Sequence, residues 1–123
     1  MPEENMKLIF VSTPYSANSW AGVKDNILDA EILSVQLIAR GWAVITPAKN
    51  TALYEKYEKL LDGKGYDFWI KLYKCILERC DAIILSEGWE DSKGAMGEYR
   101  HAGKKRIPIF FECDGIPEPE DIS

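Results

Sequence analysis

A carboxylate, small polar residues and glycines stand close together in segment 88–98 of this 123-residue chain. Glu98 is the centre of interest, and it follows Asp91, Ser92 and Gly94. If a helix begins near Gly94, Glu98 lies about one turn inside it, where the helix dipole favours an ionised carboxylate by roughly 0.3–1 kcal/mol. An ionised carboxylate in a cleft can attack or stabilise an electron-poor sugar carbon, as in glycoside chemistry. The alternative is that Glu98 only favours the first turns of its helix.

The residues before Glu98 are typical of a helix start that can also bind a ligand. Asp91 and Ser92 suit helix capping, and they equally suit hydrogen bonds to sugar hydroxyls or to a phosphate at a helix N-terminus. Gly94 and Gly97 lack side chains at points where a ligand could approach the backbone. The sequence contains neither a Walker-type nor a dinucleotide-binding glycine motif, which disfavours triphosphate hydrolysis and NAD redox chemistry.

Aromatic side chains near two predicted loops are further candidates. The Tyr15 hydroxyl could contact a ligand or orient Glu98, and an ordinary surface tyrosine is the alternative. The faces of Trp20 and Trp89 suit either a stacked base or contact with a second subunit. Two other tryptophans, Trp42 and Trp69, fall inside predicted regular elements and are expected in the core.

Composition and charge restrict the class of protein and its partners. A chain of this length predicts one domain, and its net charge of −5 argues against binding to a nucleic-acid backbone. The cysteines lack the spacing of a metal site and His101 is the single histidine, so we expect no metal and no cofactor. Cys75 and Cys80 are expected to be reduced core residues. No apolar stretch approaches 18 residues, so we expect a cytoplasmic protein without membrane contact.

Four short apolar segments predict buried strands, and helical patterns separate them. The predicted strands cover residues 7–12, 42–46, 82–86 and 107–111. The predicted helices cover residues 25–40, 66–79 and about 95–103, with a short additional helix at 52–61 and a turn at 63–65. The last segment, residues 112–123, contains several acids and prolines and is expected to be a mobile tail.

This alternation predicts a single three-layer α/β domain over residues 1–123, with a flavodoxin- or Rossmann-like parallel sheet between helices. Right-handed crossovers favour the strand order 2-1-3-4, which places the topological switch between strands one and three. Ligands of open α/β sheets bind at such a switch, outside the carboxyl ends of the strands. The loops 13–16 and 87–94 meet there, so the architecture points to the segment that contains Glu98.

Taken together, these residues resemble the nucleoside 2-deoxyribosyltransferase family, and in particular its short bacterial and phage relatives. The resemblance extends over residues 7–111. It rests on a spaced set of motifs: Pro14-Tyr15-Ser16, Trp69-Ile70-Lys71-Leu72, Cys80-Asp81-Ala82-Ile83-Ile84-Leu85, the loop Gly88-Trp89-Glu90-Asp91-Ser92-Lys93-Gly94, and Glu98 followed by Ala102.

The resemblance implies a nucleoside or nucleotide site in which Glu98 attacks C1′ of the deoxyribose, expels the base and forms a covalent glycosyl-enzyme. A second base or water then takes the sugar. It also implies that Tyr15 orients the glutamate, and that the chain assembles as a dimer or larger homo-oligomer. The remaining residues expected to bind substrate are Pro14, Ser16, Tyr73, Gly88, Trp89, Asp91, Ser92 and Gly94.

Two positions depart from the pattern of the resembled family. Tyr73 stands where an aspartate would help to protonate the leaving base, and Ser92 stands where an aspartate would bind the sugar. Residues 114–123 have no clear counterpart of the family's carboxy-terminal ligand-binding segment. A general acid contributes about 10²–10⁴-fold to rate. The sequence therefore leaves three hypotheses: an N-glycosidic-bond transferase or hydrolase, a non-catalytic nucleotide-binding or sensing module, and an oligomeric interaction protein.

Overall fold

The structure is a computed structural model that describes residues 6–14, 19–47 and 66–122. The strands of this part of the chain are β1 (Leu8–Ser12), β2 (Ala43–Ile45), β3 (Ala82–Leu85) and β4 (Ile109–Phe111). Its helices are α1 (Trp20–Ala39), α2 (Tyr66–Leu77) and α3 (Lys93–Lys104). The helix predicted at 52–61 and the turn at 63–65 lie outside the described residues, as do Tyr15 and Ser16.

The four strands form one parallel sheet in the order β2-β1-β3-β4, which confirms the predicted α/β class and strand order. β1 lies at the centre, where Ile9 pairs with Val44 of β2 and with Ala82 of β3. At the carboxyl end of β1, Ser12 pairs with Leu85. The switch between β1 and β3 is therefore where the alternation of strands and helices predicts it.

The sheet has a separate hydrophobic core on each face, because successive strand residues point to opposite sides. One core joins the sheet to α1 and includes Ile9, Val11, Leu33 and Leu37. The other lies under α2 and α3 and includes Phe10, Leu77, Ile83, Leu85, Ala95 and Ala102. The fold is thus a three-layer Rossmann-like domain whose central strands β1 and β3 are buried on both faces, and this explains their continuous apolar runs.

Two helices begin earlier than their apolar periodicity predicts, because serine caps set their starts. The Ser19 hydroxyl accepts a hydrogen bond from the Gly22 amide at 3.1 Å, and α1 starts at Trp20. The Ser92 hydroxyl accepts from the Ala95 amide at 3.2 Å, and α3 starts at Lys93. Side-chain capping satisfies amides that have no partner within the helix.

The prediction of a mobile tail is wrong for residues 112–122. This segment contains two short 3₁₀ helices, Glu112–Asp114 and Pro119–Asp121. The Trp42 indole donates a hydrogen bond of 2.9 Å to the Pro117 carbonyl, and Ile116 and Ile122 pack against the core on the α1 face. The tail therefore covers one end of that core.

The core assignments of the tryptophans and cysteines hold in part. Trp42 is fully buried, whereas Trp69 is only partly buried. Cys80 is buried, and its burial, with a smaller effect of the Asp81 charge, raises the pKa of its thiol to about 12. Cys75 is exposed at the surface of α2, so its assignment to the core is wrong. Among the described helices, none combines the length and the apolar composition needed to cross a membrane.

Candidate functional site

Glu98 faces the carboxyl end of β1 from the second turn of α3. The Ser12 hydroxyl donates a hydrogen bond of 2.6 Å to Glu98 Oε1. Ser12 is the last residue of β1 and only 1% exposed, and Glu98 is partly buried. The carboxylate singled out by the sequence therefore lies at the switch between β1 and β3, held by a buried hydroxyl.

Burial changes the ionisation of Glu98. Loss of solvation raises its pKa from 4.5 to about 7, and the hydrogen bond from Ser12 opposes this rise. The expected ionised form therefore shares the population with the protonated form at neutral pH. The dipole acts mainly within the first turn of a helix, and Glu98 lies beyond the first turn of α3. A carboxyl group with a pKa near 7 populates both protonation states at neutral pH, which suits it to proton transfer or nucleophilic attack.

The loop between β3 and α3 and the first turn of α3 carry five of the predicted substrate-binding residues: Gly88, Trp89, Asp91, Ser92 and Gly94. Gly88 has a φ of +85°, a left-handed conformation that favours glycine, and precedes a single-turn 3₁₀ helix, Trp89–Asp91. Asp91 is exposed, and Gly94 lies in the first turn of α3 with open space beside it. Ser92 caps α3 with its hydroxyl oxygen, which confirms the capping interpretation, while its contact with a ligand stays a prediction.

Two predicted substrate-binding aromatics pack within the layer of α2 and α3. The Trp89 ring lies 4.8 Å from the ring of Tyr99 and 5.6 Å from that of Phe111, measured between centroids. This packing fixes the β3–α3 loop to α3 and β4. Tyr73, on α2, is partly buried and lies 6.0 Å from the Trp69 ring. Stacking of Trp89 on a base and contact of Tyr73 with a ligand both stay predictions.

A cavity of about 240 Å³ opens at the carboxyl edge of the sheet on the α1 side, and we call it the edge cavity. Two strand ends, the middle of α1 and the start of the tail contribute to its walls. Its lining residues are Thr13, Pro14, Asn26, Asp29, Ile32, Ser86, Glu87 and Glu112. The Glu87 amide donates a hydrogen bond of 2.9 Å to Glu112 Oε1, which holds this carboxylate at the cavity. Pro14 is the predicted substrate-binding residue found here.

Sequence reasoning missed Ser12, although a signal for it was present. Side chains alternate along a strand, so the last residue of β1 shares a face with buried Phe10 and points toward the layer of α3. A buried serine at a strand's carboxyl end, opposite a helix that carries a glutamate, predicts this contact once the strand order is known. Within the described ranges, no group of His, Cys, Asp and Glu side chains is arranged to hold a metal ion.

Comparison with known proteins assigns the chain to a family. No curated protein matches the chain. A family model described as a domain of unknown function, DUF1937, matches residues 7–112, which include β1 to β4, α1 to α3 and Glu98. Because the match covers most of the chain, this protein belongs to the DUF1937 family.

Proposed function

We propose that the protein breaks the N-glycosidic bond of a nucleoside or nucleotide, as a transferase or a hydrolase, with Glu98 as nucleophile. The observation that carries the proposal is the placement of Glu98 at the switch between β1 and β3, hydrogen-bonded to buried Ser12. A carboxyl group enclosed at a ligand-binding edge, with a pKa of about 7, has a reactivity that a surface glutamate lacks.

The chemistry follows from the ionised form of Glu98. A carboxylate oxygen forms a bond to C1′ of the sugar, the C1′–N bond breaks, and its electron pair leaves with the base, which takes up a proton. Water, or a nitrogen of a second base, then attacks C1′ and loses a proton to solvent, and the bond between C1′ and the Glu98 carboxylate breaks. The first outcome is hydrolysis and the second is transfer.

Ser12 acts in this scheme as a positioning residue. Its hydroxyl fixes Oε1 of Glu98 and so restricts the orientations of the carboxyl group before the substrate binds. The same hydrogen bond favours the ionised form, which is the reactive one. Ser12 thus takes, among the described residues, the orienting role that the family resemblance gives to Tyr15.

A non-catalytic binding module is the second candidate, and one observation favours it. Tyr73 stands where the resembled family has the aspartate that assists departure of the base, and it packs beside Trp69. Without a general acid, the leaving base depends on solvent for its proton. On this alternative the protein binds its nucleoside and releases no base.

Self-association stays part of the proposal, and the outer face of α1 supports it. Leu28, Ile32, Val35 and Ile38 follow one another at helical spacing and are each about half exposed. Apolar residues clustered on a surface are typical of an interaction site. A two-fold axis beside α1 would bury this stripe against its own copy, as in an isologous dimer.

The direct test of the proposed activity is release of free base from a panel of deoxynucleosides and deoxynucleotides, measured by chromatography. We expect release by the wild-type protein and a loss of at least about 100-fold in Glu98→Gln, which is neutral and cannot attack C1′. Glu90→Gln is the matched control, because Glu90 is an exposed glutamate in the same segment. Substrate binding without any release would favour the binding module, and equal release by Glu98→Gln would exclude Glu98 as nucleophile.

A further inference from the structure

Two buried hydroxyls at the edge cavity have no hydrogen-bond partner within the part of the chain that the structure describes. They are Thr13 Oγ1, just after β1, and Ser86 Oγ, just after β3. Ser86 is only 7% exposed, and both residues line the cavity. Buried polar groups are nearly always paired, because an unpaired one loses its hydration without compensation. Two unpaired hydroxyls on residues that line one cavity point to a ligand that completes them.

The edge cavity and Glu98 lie on the two sides of the same pair of strand ends. The Ser86 amide donates a hydrogen bond of 3.1 Å to the Ser12 carbonyl, so the ends of β1 and β3 stay paired beyond the strands. Ser12 faces α3, whereas the next residue, Thr13, lines the cavity with residues of α1. A small ligand lying across these strand ends would reach both sites.

The lining of the cavity selects against anions. Asp29, Glu87 and Glu112 contribute carboxyl groups, and the described lining contains no lysine, arginine or histidine. A carboxylate only accepts hydrogen bonds, while the hydroxyls of Thr13 and Ser86 can donate or accept. The volume of about 240 Å³ is below the range of roughly 300–1,000 Å³ of typical ligand pockets, so the cavity suits a single ring.

We propose that the edge cavity binds an uncharged, donor-rich ring of the substrate and excludes phosphate. Two sources share this chemistry: a nucleobase that carries an amino group, and the hydroxyl-bearing sugar. The assignment to a nucleoside rests on the proposed function, whereas the preference for donors rests on the cavity itself. A phosphate group, if the substrate carries one, lies outside this cavity.

The test is calorimetric titration of the full chain with small probes that separate these sources. Adenine is compared with hypoxanthine and cytosine with uracil, since each pair exchanges an amino group for a carbonyl, and 2-deoxyribose and inorganic phosphate are titrated separately. Tighter binding of the amino-bearing bases, by at least tenfold, identifies the base as the occupant, and binding of 2-deoxyribose identifies the sugar. In either case Ser86→Ala and Thr13→Val should weaken binding at least tenfold. Absence of binding by all neutral probes, unchanged binding in both variants, or displacement of a bound probe by phosphate would overturn the proposal.

Ser34→Ala provides a matched control for loss of a buried hydroxyl. Ser34 is also 7% exposed, but its hydroxyl donates to the Ala30 carbonyl and bonds Thr46 Oγ1, both at 2.7 Å. We expect Ser34→Ala to lower the thermal midpoint and keep probe binding. We expect Ser86→Ala to weaken probe binding and not to lower the midpoint, because the Ser86 hydroxyl has no hydrogen bond within the described residues to lose. An equal fall in the midpoint for Ser86→Ala would show that its hydroxyl is part of the folded framework, and the proposal would fail.

The same variants distinguish failure of this inference from failure of the proposed function. Glu90→Gln should bind the probes like the wild type, because Glu90 is exposed and does not line the edge cavity. Probe binding that depends on Ser86, together with no release of base from any nucleoside, would refute the catalytic function and keep the cavity assignment. Base release with a KM unchanged in Ser86→Ala would keep the function and refute the cavity assignment.

Discussion

Replacing Glu98 with glutamine is expected to stabilise the folded protein at alkaline pH and to have little effect at acid pH. Burial raises the pKa of this carboxyl from 4.5 to about 7. The folded state therefore keeps the proton over a range in which the unfolded state has released it. The stability that this proton contributes is complete below about pH 4.5, decreases as the pH rises, and is lost once the pH passes about 7.

The size of this effect follows from the interval between the two pKa values. The difference between about 7 and 4.5 is about 2.5 pH units. At about 1.4 kcal/mol per unit, ionisation of Glu98 lowers the free energy of unfolding by roughly 3 kcal/mol in total, of which about 2.5 kcal/mol falls between pH 5 and pH 8. Glutamine stays neutral and keeps an oxygen that can accept the Ser12 hydrogen bond.

The assay is urea unfolding of the wild type, Glu98→Gln and Glu90→Gln at pH 5 and pH 8. Other titrating groups cancel in the difference between variants. One of them is Glu78, whose pKa is lowered chiefly by its hydrogen bond with His101. We expect Glu98→Gln to gain about 2.5 kcal/mol on the wild type between pH 5 and pH 8, and Glu90→Gln to gain nothing measurable. A gain below about 0.5 kcal/mol would refute the claim that the fold desolvates Glu98.

Three further outcomes are expected. If Glu98 is the nucleophile, kcat/KM rises with pH and levels off above about 7, and a decrease over this range would assign it an acid role instead. In the wild type the hydrogen bond from Ser12 lowers the pKa of Glu98, so Ser12→Ala should raise that pKa and move the midpoint of the pH profile to higher pH. Ser34→Ala, which removes a buried hydroxyl elsewhere, should leave the midpoint of the profile unchanged. Val35→Glu should convert any oligomer to monomer, because Val35 is 59% exposed on the apolar stripe of α1. Sedimentation velocity measures the change, and an unchanged sedimentation coefficient would exclude this face as the interface.

The sequence was sufficient to predict the sheet, because its central strands are recognisable from their local residue pattern alone. Buried on both faces, β1 and β3 read as continuous apolar runs, and the helices between them make the strands parallel. The order β2-β1-β3-β4 then follows from crossover handedness. The tail was mispredicted because its order depends on a distant partner, the Trp42 indole at the Pro117 carbonyl, which no local pattern shows.

The sequence predicts the location of the candidate site, whereas the pKa of Glu98 could not be predicted from it. Fold topology puts Glu98 at the carboxyl edge of the sheet, and the structure agrees. Its pKa depends on how completely α3 and β1 exclude water, which spacing in a sequence does not determine. The unpaired hydroxyls of Thr13 and Ser86 were missed for a similar reason. A serine or threonine after a strand is common, and only the surrounding packing reveals that its hydroxyl lacks a partner.

The most direct test of the central claim is to look for a covalent bond between the sugar and Glu98. The wild type is mixed with a deoxynucleoside that it cleaves, quenched in acid within the first turnover, and measured by intact-mass spectrometry and peptide mapping. We expect a mass increase of one deoxyribosyl group that maps to the peptide containing Glu98 and is absent from Glu98→Gln. Release of base with the sugar attached to another residue, or an equal rate of release by Glu98→Gln, would contradict that claim.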